Sequence, residues 1–159
     1  MGRPNTEMGE NFTGVKNQKL TRLAAVLAAI VVVASAADLA LVQPPELASQ
    51  LAGKGPRPVI FMVGPNLLYR SKHIPGAIYA GPGVMETGLA MLKMEAGKLP
   101  RDREVVLYCG CCPWDHCPFI KPAMNLLKQM GFTKAKALYL DTGFKGDWLD
   151  KGYAAEAGR

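Results

Sequence analysis

Strands and helices alternate along this chain, and that alternation is the feature that most restricts its fold. Val59–Val63 and Glu104–Tyr108 are dominated by apolar, β-prone residues and lack the polar alternation of a half-exposed strand. Runs of this kind are typical of strands buried on both faces of a parallel sheet. Between them the sequence predicts a helix over Glu86–Ala96, with Gly97 as its stop. The alternation predicts an α/β domain whose central parallel sheet is flanked by helices on both faces.

The remaining elements continue the same pattern on either side of these strands. Proline is favoured in the first turn of a helix, and a helix begun at Pro118 would bring the Pro122 ring against the carbonyl of residue 118. We therefore expect the helix that ends at Gly131 to begin at Pro122. The other predicted elements are a short helix from Pro44 closed by Gly53, strands at Ile78–Tyr79 and Ala135–Leu140, and a helical turn around Trp148.

The N-terminal part of the chain has the pattern of an export signal. Residues 1–22 are polar and end in basic side chains, and the uncharged apolar run Leu23–Ala37 follows them. That run is shorter than the roughly 20 residues of a membrane-spanning helix, and Ala34-Ser35-Ala36 fits the small-x-small pattern of a cleavage site. We predict a secretory signal peptide over 1–36 and a single periplasmic or otherwise exported domain over 37–159. An uncleaved membrane anchor that leaves the domain facing the periplasm is the alternative, and only then would the protein contact a membrane.

Length and charge limit the classes of partner. A chain of 159 residues suits one domain, and its formal net charge of +6 favours small anions or an acidic surface. The basic residues form no run, so nucleic acid is not an expected partner.

The most informative segment is a loop that contains every cysteine of the chain. Cys109, Cys111, Cys112 and Cys117 lie within nine residues, directly after a predicted strand. In open parallel sheets, ligands bind at the carboxyl ends of the strands, which is where Cys109 falls. Three interpretations remain open: local disulfides, a metal site and a reactive thiol.

Disulfides and metal binding are the two alternatives to a reactive thiol. A disulfide inside so short a loop constrains little of the unfolded chain, so stapling alone explains the cluster poorly. Thiolates and imidazole suit zinc or copper, although the two separated ligand pairs of an ordinary zinc site are missing. Our prediction includes no cofactor, and the alternative is a non-enzymatic metal-binding module that uses Cys109, Cys112, His116 and Cys117.

A reactive thiol is the interpretation that we favour. The loop runs from the end of a strand to the N-terminus of a helix, whose amide groups and positive end stabilise a thiolate or a bound anion. Cys109 is the predicted nucleophile, and Cys111, Cys112 and Cys117 are predicted resolving or relay thiols. Cys109 and Cys112 have the C-x-x-C spacing of a redox-active pair, so mild oxidation is expected to link them. The redox alternative is a thiol–disulfide protein on the same fold.

Three segments, in order along the chain, resemble the rhodanese family. Arg70–Ala77 (RSKHIPGA) resembles the signature before the second rhodanese strand, and Val105–Cys109 resembles the strand that leads to the catalytic cysteine. Gly131-Phe132, Leu140, Gly143, Trp148 and Gly152-Tyr153 resemble the closing segment, so the similarity runs from about Pro45 to Glu156.

This resemblance implies a sulfurtransferase. A nucleophilic cysteine, here Cys109, would take sulfane sulfur from a small anionic donor such as thiosulfate and pass it to a thiol or to cyanide. The remaining residues of the predicted substrate-binding loop are Gly110, Pro113, Trp114, Asp115, His116 and Lys121.

The loop departs from the rhodanese pattern at the positions that bind substrate. Val63-Gly64-Pro65 replaces the Asp-Val-Arg-like end of the first strand. Cys112 takes the place of a glycine and Trp114 that of the anion-binding arginine. Lys121 is the candidate replacement for that arginine.

Overall fold

A computed structural model describes residues 39–158, and the prediction of a signal peptide or anchor over 1–36 lies outside them. Within the described part of the chain, no helix is long and apolar enough to cross a membrane. The strands are β1 (Leu41–Val42), β2 (Val59–Met62), β3 (Ile78–Tyr79), β4 (Val105–Tyr108) and β5 (Ala135–Leu138). The helices are α1 (Pro44–Ala52), α2 (Asn66–Ser71), α3 (Glu86–Gly97) and α4 (Ile120–Gln129), with a 3-10 turn at Trp114–His116 and a π-helical turn at Lys145–Leu149.

The five strands form one parallel sheet in the order β1-β5-β4-β2-β3. From β2 the chain moves to one edge of the sheet, and from β4 it moves toward the other. The loops after β2 and β4 therefore diverge at the position where open α/β sheets bind ligands. Met62 is opposite Tyr108 in the register, and the Val63 amide donates to the Tyr108 carbonyl at 2.8 Å. Residues 63 and 109 consequently leave the sheet side by side.

Both faces of the sheet are covered, which confirms the predicted fold class. β4 is fully buried along its length, and its side chains alternate between two apolar clusters. One cluster contains Leu107 with Leu92 of α3 and Leu127 of α4, whereas the other contains Tyr108 with Leu47 of α1 and Trp148. Cys109 belongs to the first cluster, and its thiol therefore lies among residues packed beneath α3 and α4.

Three short elements were not anticipated from the sequence. β1 precedes the helix predicted from Pro44 and pairs with β5. α2 and the 3-10 turn are six and three residues long, too short for a periodic apolar face to be recognised. Pairing in the sheet and packing of the loop, rather than local pattern, place these elements.

The predicted start of α4 at Pro122 was wrong, since the helix begins at Ile120. Pro122 is the third residue of the helix. The first four amide groups of a helix have no partner within it, so a proline there removes no helical hydrogen bond. Its ring also meets no helical carbonyl, because residue 118 is outside the helix.

Candidate functional site

Cys109 lies directly after the central strand β4 and is buried, with 3% of its surface exposed. The next residue, Gly110, has a φ of +75°, a left-handed conformation that glycine adopts without strain. This turn directs the chain out of the sheet and into an eleven-residue loop that ends where α4 begins. The predicted loop between strand and helix is present. Cys109 begins it, and Cys117 lies three residues before α4.

Gly64, two residues after the end of β2, is a residue that sequence reasoning did not include in the site. A Cβ atom on Gly64 would lie 2.1 Å from the carbonyl oxygen of Cys109 and 2.9 Å from its carbonyl carbon. Only glycine allows the two backbones to approach this closely. The signal was in the sequence, because a glycine that ends a buried strand often marks such an approach.

The four cysteine sulfur atoms form a compact group. Each Sγ atom lies within 4.8 Å of the other three, and all four cysteines are free thiols. From the Sγ of Cys109, the distance is 2.9 Å to Cys117, 3.2 Å to Cys111 and 3.9 Å to Cys112. The Cys111 and Cys112 sulfurs are 3.0 Å apart. The structure therefore brings together every thiol that the sequence placed in this loop.

Cys117 lies near the end of the loop next to α4 and has an acidified thiol. Its pKa is lowered to about 6, first by the hydrogen bond with Cys109 and then by bonds from the backbone of Phe119 and Ile120, against the opposing effect of burial. These amides belong to the start of α4, where unpaired N–H groups stabilise negative charge. Cys117 is therefore favoured as a thiolate near neutral pH.

Cys109 and Cys112 keep their protons more firmly. The hydrogen bond with Cys117 and then burial raise the pKa of Cys109 well above its usual range. Burial, followed by the hydrogen bond with Cys111, raises the pKa of Cys112 to about 12. The sequence predicted a helix terminus that acidifies a thiol of this loop; in the structure, the acidified thiol is Cys117.

Trp114, which stands where the rhodanese pattern has an arginine, brings no charge to the loop. It holds the middle of the loop in position instead. Its backbone amide donates to the carbonyl of Leu140 at 2.8 Å, and its ring packs on Tyr139 with a centroid distance of 5.6 Å. Its carbonyl accepts the amide of Cys117 at 3.2 Å, which closes the 3-10 turn. The loop is thereby tied to the segment after β5, and Cys117 is held against Cys109.

Several residues predicted to bind substrate lie on the outside of the loop. Pro113, Asp115 and His116 are exposed, and His116 is not in the group of potential metal ligands. Lys121, the second residue of α4, is exposed, and its ammonium makes no ion pair within residues 39–158. A soft metal ion would therefore find Cys111, and not His116, as the fourth ligand beside Cys109, Cys112 and Cys117.

Two further cationic side chains, which the sequence did not single out, line a pocket of about 130 Å³ beside Gly110. Lys145 is held there by Asp150 at 2.8 Å, whereas Lys72 makes no ion pair within the described residues. Lys72 follows α2 directly, and Arg70-Ser71-Lys72 is the start of the segment that resembles the rhodanese signature. The pocket therefore places positive charge close to the start of the loop.

Comparison with known proteins identifies the fold. No protein-family model and no curated protein matches the chain. The rhodanese-like domain of the Alr3790 protein from Anabaena sp. is similar in structure, with a TM-score of 0.54 and 23% identity over 74% of this chain and 78% of that one. The BH2092 protein from Bacillus halodurans has a TM-score of 0.59 and 19% identity, over 74% of this chain and 77% of that one.

A named enzyme shares the same architecture. The thiosulfate sulfurtransferase from Pseudomonas aeruginosa has a TM-score of 0.51 and 18% identity; the match covers 76% of this chain and 21% of that protein. The described domain has the rhodanese-like α/β fold, as the sequence resemblance predicted. At these identities the comparison defines the fold, while the role of each loop residue depends on the geometry of this chain.

Proposed function

We propose that this protein is a rhodanese-like sulfurtransferase that carries sulfane sulfur as a persulfide on Cys109. The fold supports a sulfurtransferase type of function, and a thiosulfate sulfurtransferase shares it. The observation that carries the proposal is the position of Cys109, at the carboxyl end of the central strand and in contact with an acidified thiol. The proposed donor is a small anion such as thiosulfate, and the acceptor is a thiol or cyanide.

The proposed first step forms the persulfide. The Cys109 sulfur attacks the sulfane sulfur of thiosulfate, the S–S bond of the donor breaks, and sulfite leaves with the bonding electrons. The proton of Cys109 passes to the Cys117 thiolate, whose sulfur is 2.9 Å away. Cys117 thus acts as the general base that makes a buried, weakly acidic thiol nucleophilic. The ammonium groups of Lys72 and Lys121, which make no ion pair among the described residues, are the candidates for attracting the anion.

A single-turnover reaction tests this proposal directly. Reduced protein freed of small thiols is mixed with thiosulfate, and the products are sulfite and a protein with one added sulfur. We expect about one sulfite per chain at completion and a +32 Da adduct that maps to Cys109 in samples quenched early with an alkylating reagent. A protein that releases no sulfite, or an adduct confined to another cysteine, would contradict it.

A second candidate function is binding of a soft metal ion, which the four sulfur atoms within 4.8 Å of one another favour. Thiolates select ions such as Cu⁺ or Zn²⁺, and a set of four would enclose the ion. Occupancy would block Cys109, so metal binding and sulfur transfer would exclude each other. The structural ligand set and the set expected from the sequence differ in one residue, which gives a sharp test.

That test is titration of the reduced protein with Cd²⁺, followed by thiolate charge-transfer absorption. If the sulfur group binds the ion, Cys111→Ser is expected to weaken binding at least about tenfold, and His116→Ala is expected to leave it within about twofold. If His116→Ala weakens binding and Cys111→Ser does not, the ligand set is instead the one expected from the sequence, which includes His116. Absence of the absorption band in the wild-type protein would eliminate this second function.

Export is part of the proposal and is supported by the apolar run Leu23–Ala37 and the cleavage pattern that ends at Ala36. The periplasm is an oxidising compartment, where neighbouring thiols are exposed to disulfide formation. An exported sulfurtransferase with four adjacent thiols therefore needs a source of reducing equivalents. Membrane attachment is proposed only for the case in which the N-terminal segment is not cleaved.

A further inference from the structure

Of the three other sulfur atoms in the cysteine group, that of Cys117 is the nearest to the Cys109 sulfur, at 2.9 Å. We propose that Cys117 is a built-in acceptor: its sulfur displaces the sulfane sulfur from the Cys109 persulfide as hydrogen sulfide and leaves a Cys109–Cys117 disulfide. This inference rests on the proposed sulfurtransferase function. It adds a product, sulfide, and gives Cys117 a second role besides that of general base.

The atoms and electrons of this step balance within the protein. The Cys117 sulfur attacks the Sγ atom of Cys109, a new S–S bond forms between the two residues, and the bond between Sγ and the sulfane sulfur breaks. The sulfane sulfur leaves with the bonding electrons and takes the proton that Cys117 received in the first step. The two thiols are oxidised to a disulfide and the sulfane sulfur is reduced to HS⁻.

Geometry favours Cys117 over the other two thiols as the acceptor. Cys112, which the C-x-x-C spacing suggested, is 1.0 Å further from Cys109 than Cys117 is (3.9 against 2.9 Å). Cys111 is at 3.2 Å, but only one residue separates it from Cys109, so a disulfide between them would close a very small ring. Cys117 is eight residues away, and the 3-10 turn and the start of α4 hold its sulfur in place.

The charge on each thiol supports the same choice. The thiolate form is the nucleophile in thiol–disulfide exchange. The backbone of Phe119 and Ile120, at the start of α4, forms hydrogen bonds with the Cys117 sulfur and stabilises negative charge on it. The thiol nearest to the persulfide is therefore also the one best able to attack it.

The reaction would stop after one turnover unless the disulfide is reduced. A dithiol reductant of the thioredoxin type is the class of partner that restores both thiols, by attack on one sulfur and resolution by its second thiol. Cys117 and Cys112 are partly exposed and Cys111 is exposed, so the disulfide would lie at an accessible part of the loop. The overall reaction would convert thiosulfate and a dithiol into sulfite, sulfide and a disulfide.

The test measures sulfite and sulfide separately after thiosulfate is added to reduced protein in the absence of any other thiol and of oxygen. The wild-type chain is expected to release about one sulfide per sulfite, and non-reducing peptide mapping is expected to find a disulfide between Cys109 and Cys117. Cys117→Ser also lacks the proposed general base, so sulfite release should be slower in this variant. At completion the ratio of sulfide to sulfite should still fall at least about tenfold, and the persulfide on Cys109 should accumulate as a +32 Da adduct. Cys112→Ser is the matched comparison, in which we expect the ratio to remain near one.

The outcomes separate this inference from the function on which it rests. Sulfite without sulfide from the wild-type protein would overturn the built-in acceptor and leave the sulfurtransferase proposal standing. The inference would also be overturned if the ratio of sulfide to sulfite fell in Cys112→Ser and stayed near one in Cys117→Ser. A mapped disulfide between Cys109 and Cys112 would overturn it as well. A protein that releases neither product would overturn the proposed function and this inference together.

Discussion

Cys109→Ser is expected to reduce the rate of sulfite release from thiosulfate by at least about a thousandfold, because the variant lacks the atom that forms the persulfide. The serine hydroxyl is a far weaker nucleophile near neutral pH. It also cannot hold sulfane sulfur in a form that a thiol readily removes. Single-turnover sulfite release and the +32 Da adduct are the two measurements, and both should disappear.

The control for this prediction is Cys111→Ser, which removes an exposed thiol from the same loop. We expect the Cys111 variant to show a much smaller change, and equal melting temperatures of the two variants would show that the loop substitution does not unfold the domain. Activity retained in Cys109→Ser and lost in Cys117→Ser would place the nucleophile at the end of the loop nearest α4. That result would fit the lowered pKa of Cys117, so the pair of variants decides between the two sulfurs.

Gly64→Ala is expected to lower the free energy of unfolding by about 3 kcal/mol, the upper part of the usual range for overpacking. The added methyl group would lie 2.1 Å from the Cys109 carbonyl oxygen, which is backbone and cannot turn away. β2 and β4 would have to separate at the ends that support the cysteine loop. Chemical denaturation measures the change, and we expect sulfite release to fall with it because Cys109 is displaced.

Gly97→Ala provides the matched control. Gly97 is the last residue of α3, and a Cβ atom there would meet nothing within 4 Å. Alanine favours a helix over glycine, so this variant should be neutral or more stable by up to about 1 kcal/mol. Equal stability of Gly64→Ala and the wild-type protein would mean that β2 and β4 are not in the close contact described above.

The fold could be predicted because its signals are local. The buried strands β2 and β4 are continuous apolar runs, and α3 ends at the glycine expected to stop it. Burial of both faces of a parallel sheet requires such runs, so the sequence has little freedom there. β1 could not be predicted in the same way, because two residues show no period and only pairing with β5 makes them a strand.

The site was predicted only as a set of residues. Their crowding within nine positions and the strand before them indicated a reactive loop with Cys109 at its start. The spacing of the cysteines did not indicate which thiol would be acidic or which would lie nearest to Cys109. C-x-x-C spacing favoured Cys112, yet Cys117 is closer, because the chain makes a 3-10 turn and returns to the sheet before α4 begins.

The sequence by itself determined the alternation of elements, the position of Cys109 at the end of a buried strand and the concentration of thiols in one loop. Only the tertiary structure decided that all four sulfur atoms meet, that Cys117 contacts Cys109, and that His116 is left outside. The physical reason is that hydrophobic periodicity acts over a few residues, whereas loop conformation depends on contacts between distant segments. Two such contacts are the Trp114 amide on Leu140 and the close approach of Gly64 to Cys109. The glycine hints that some backbone comes close, but the order of residues does not show which segment is the partner in either contact.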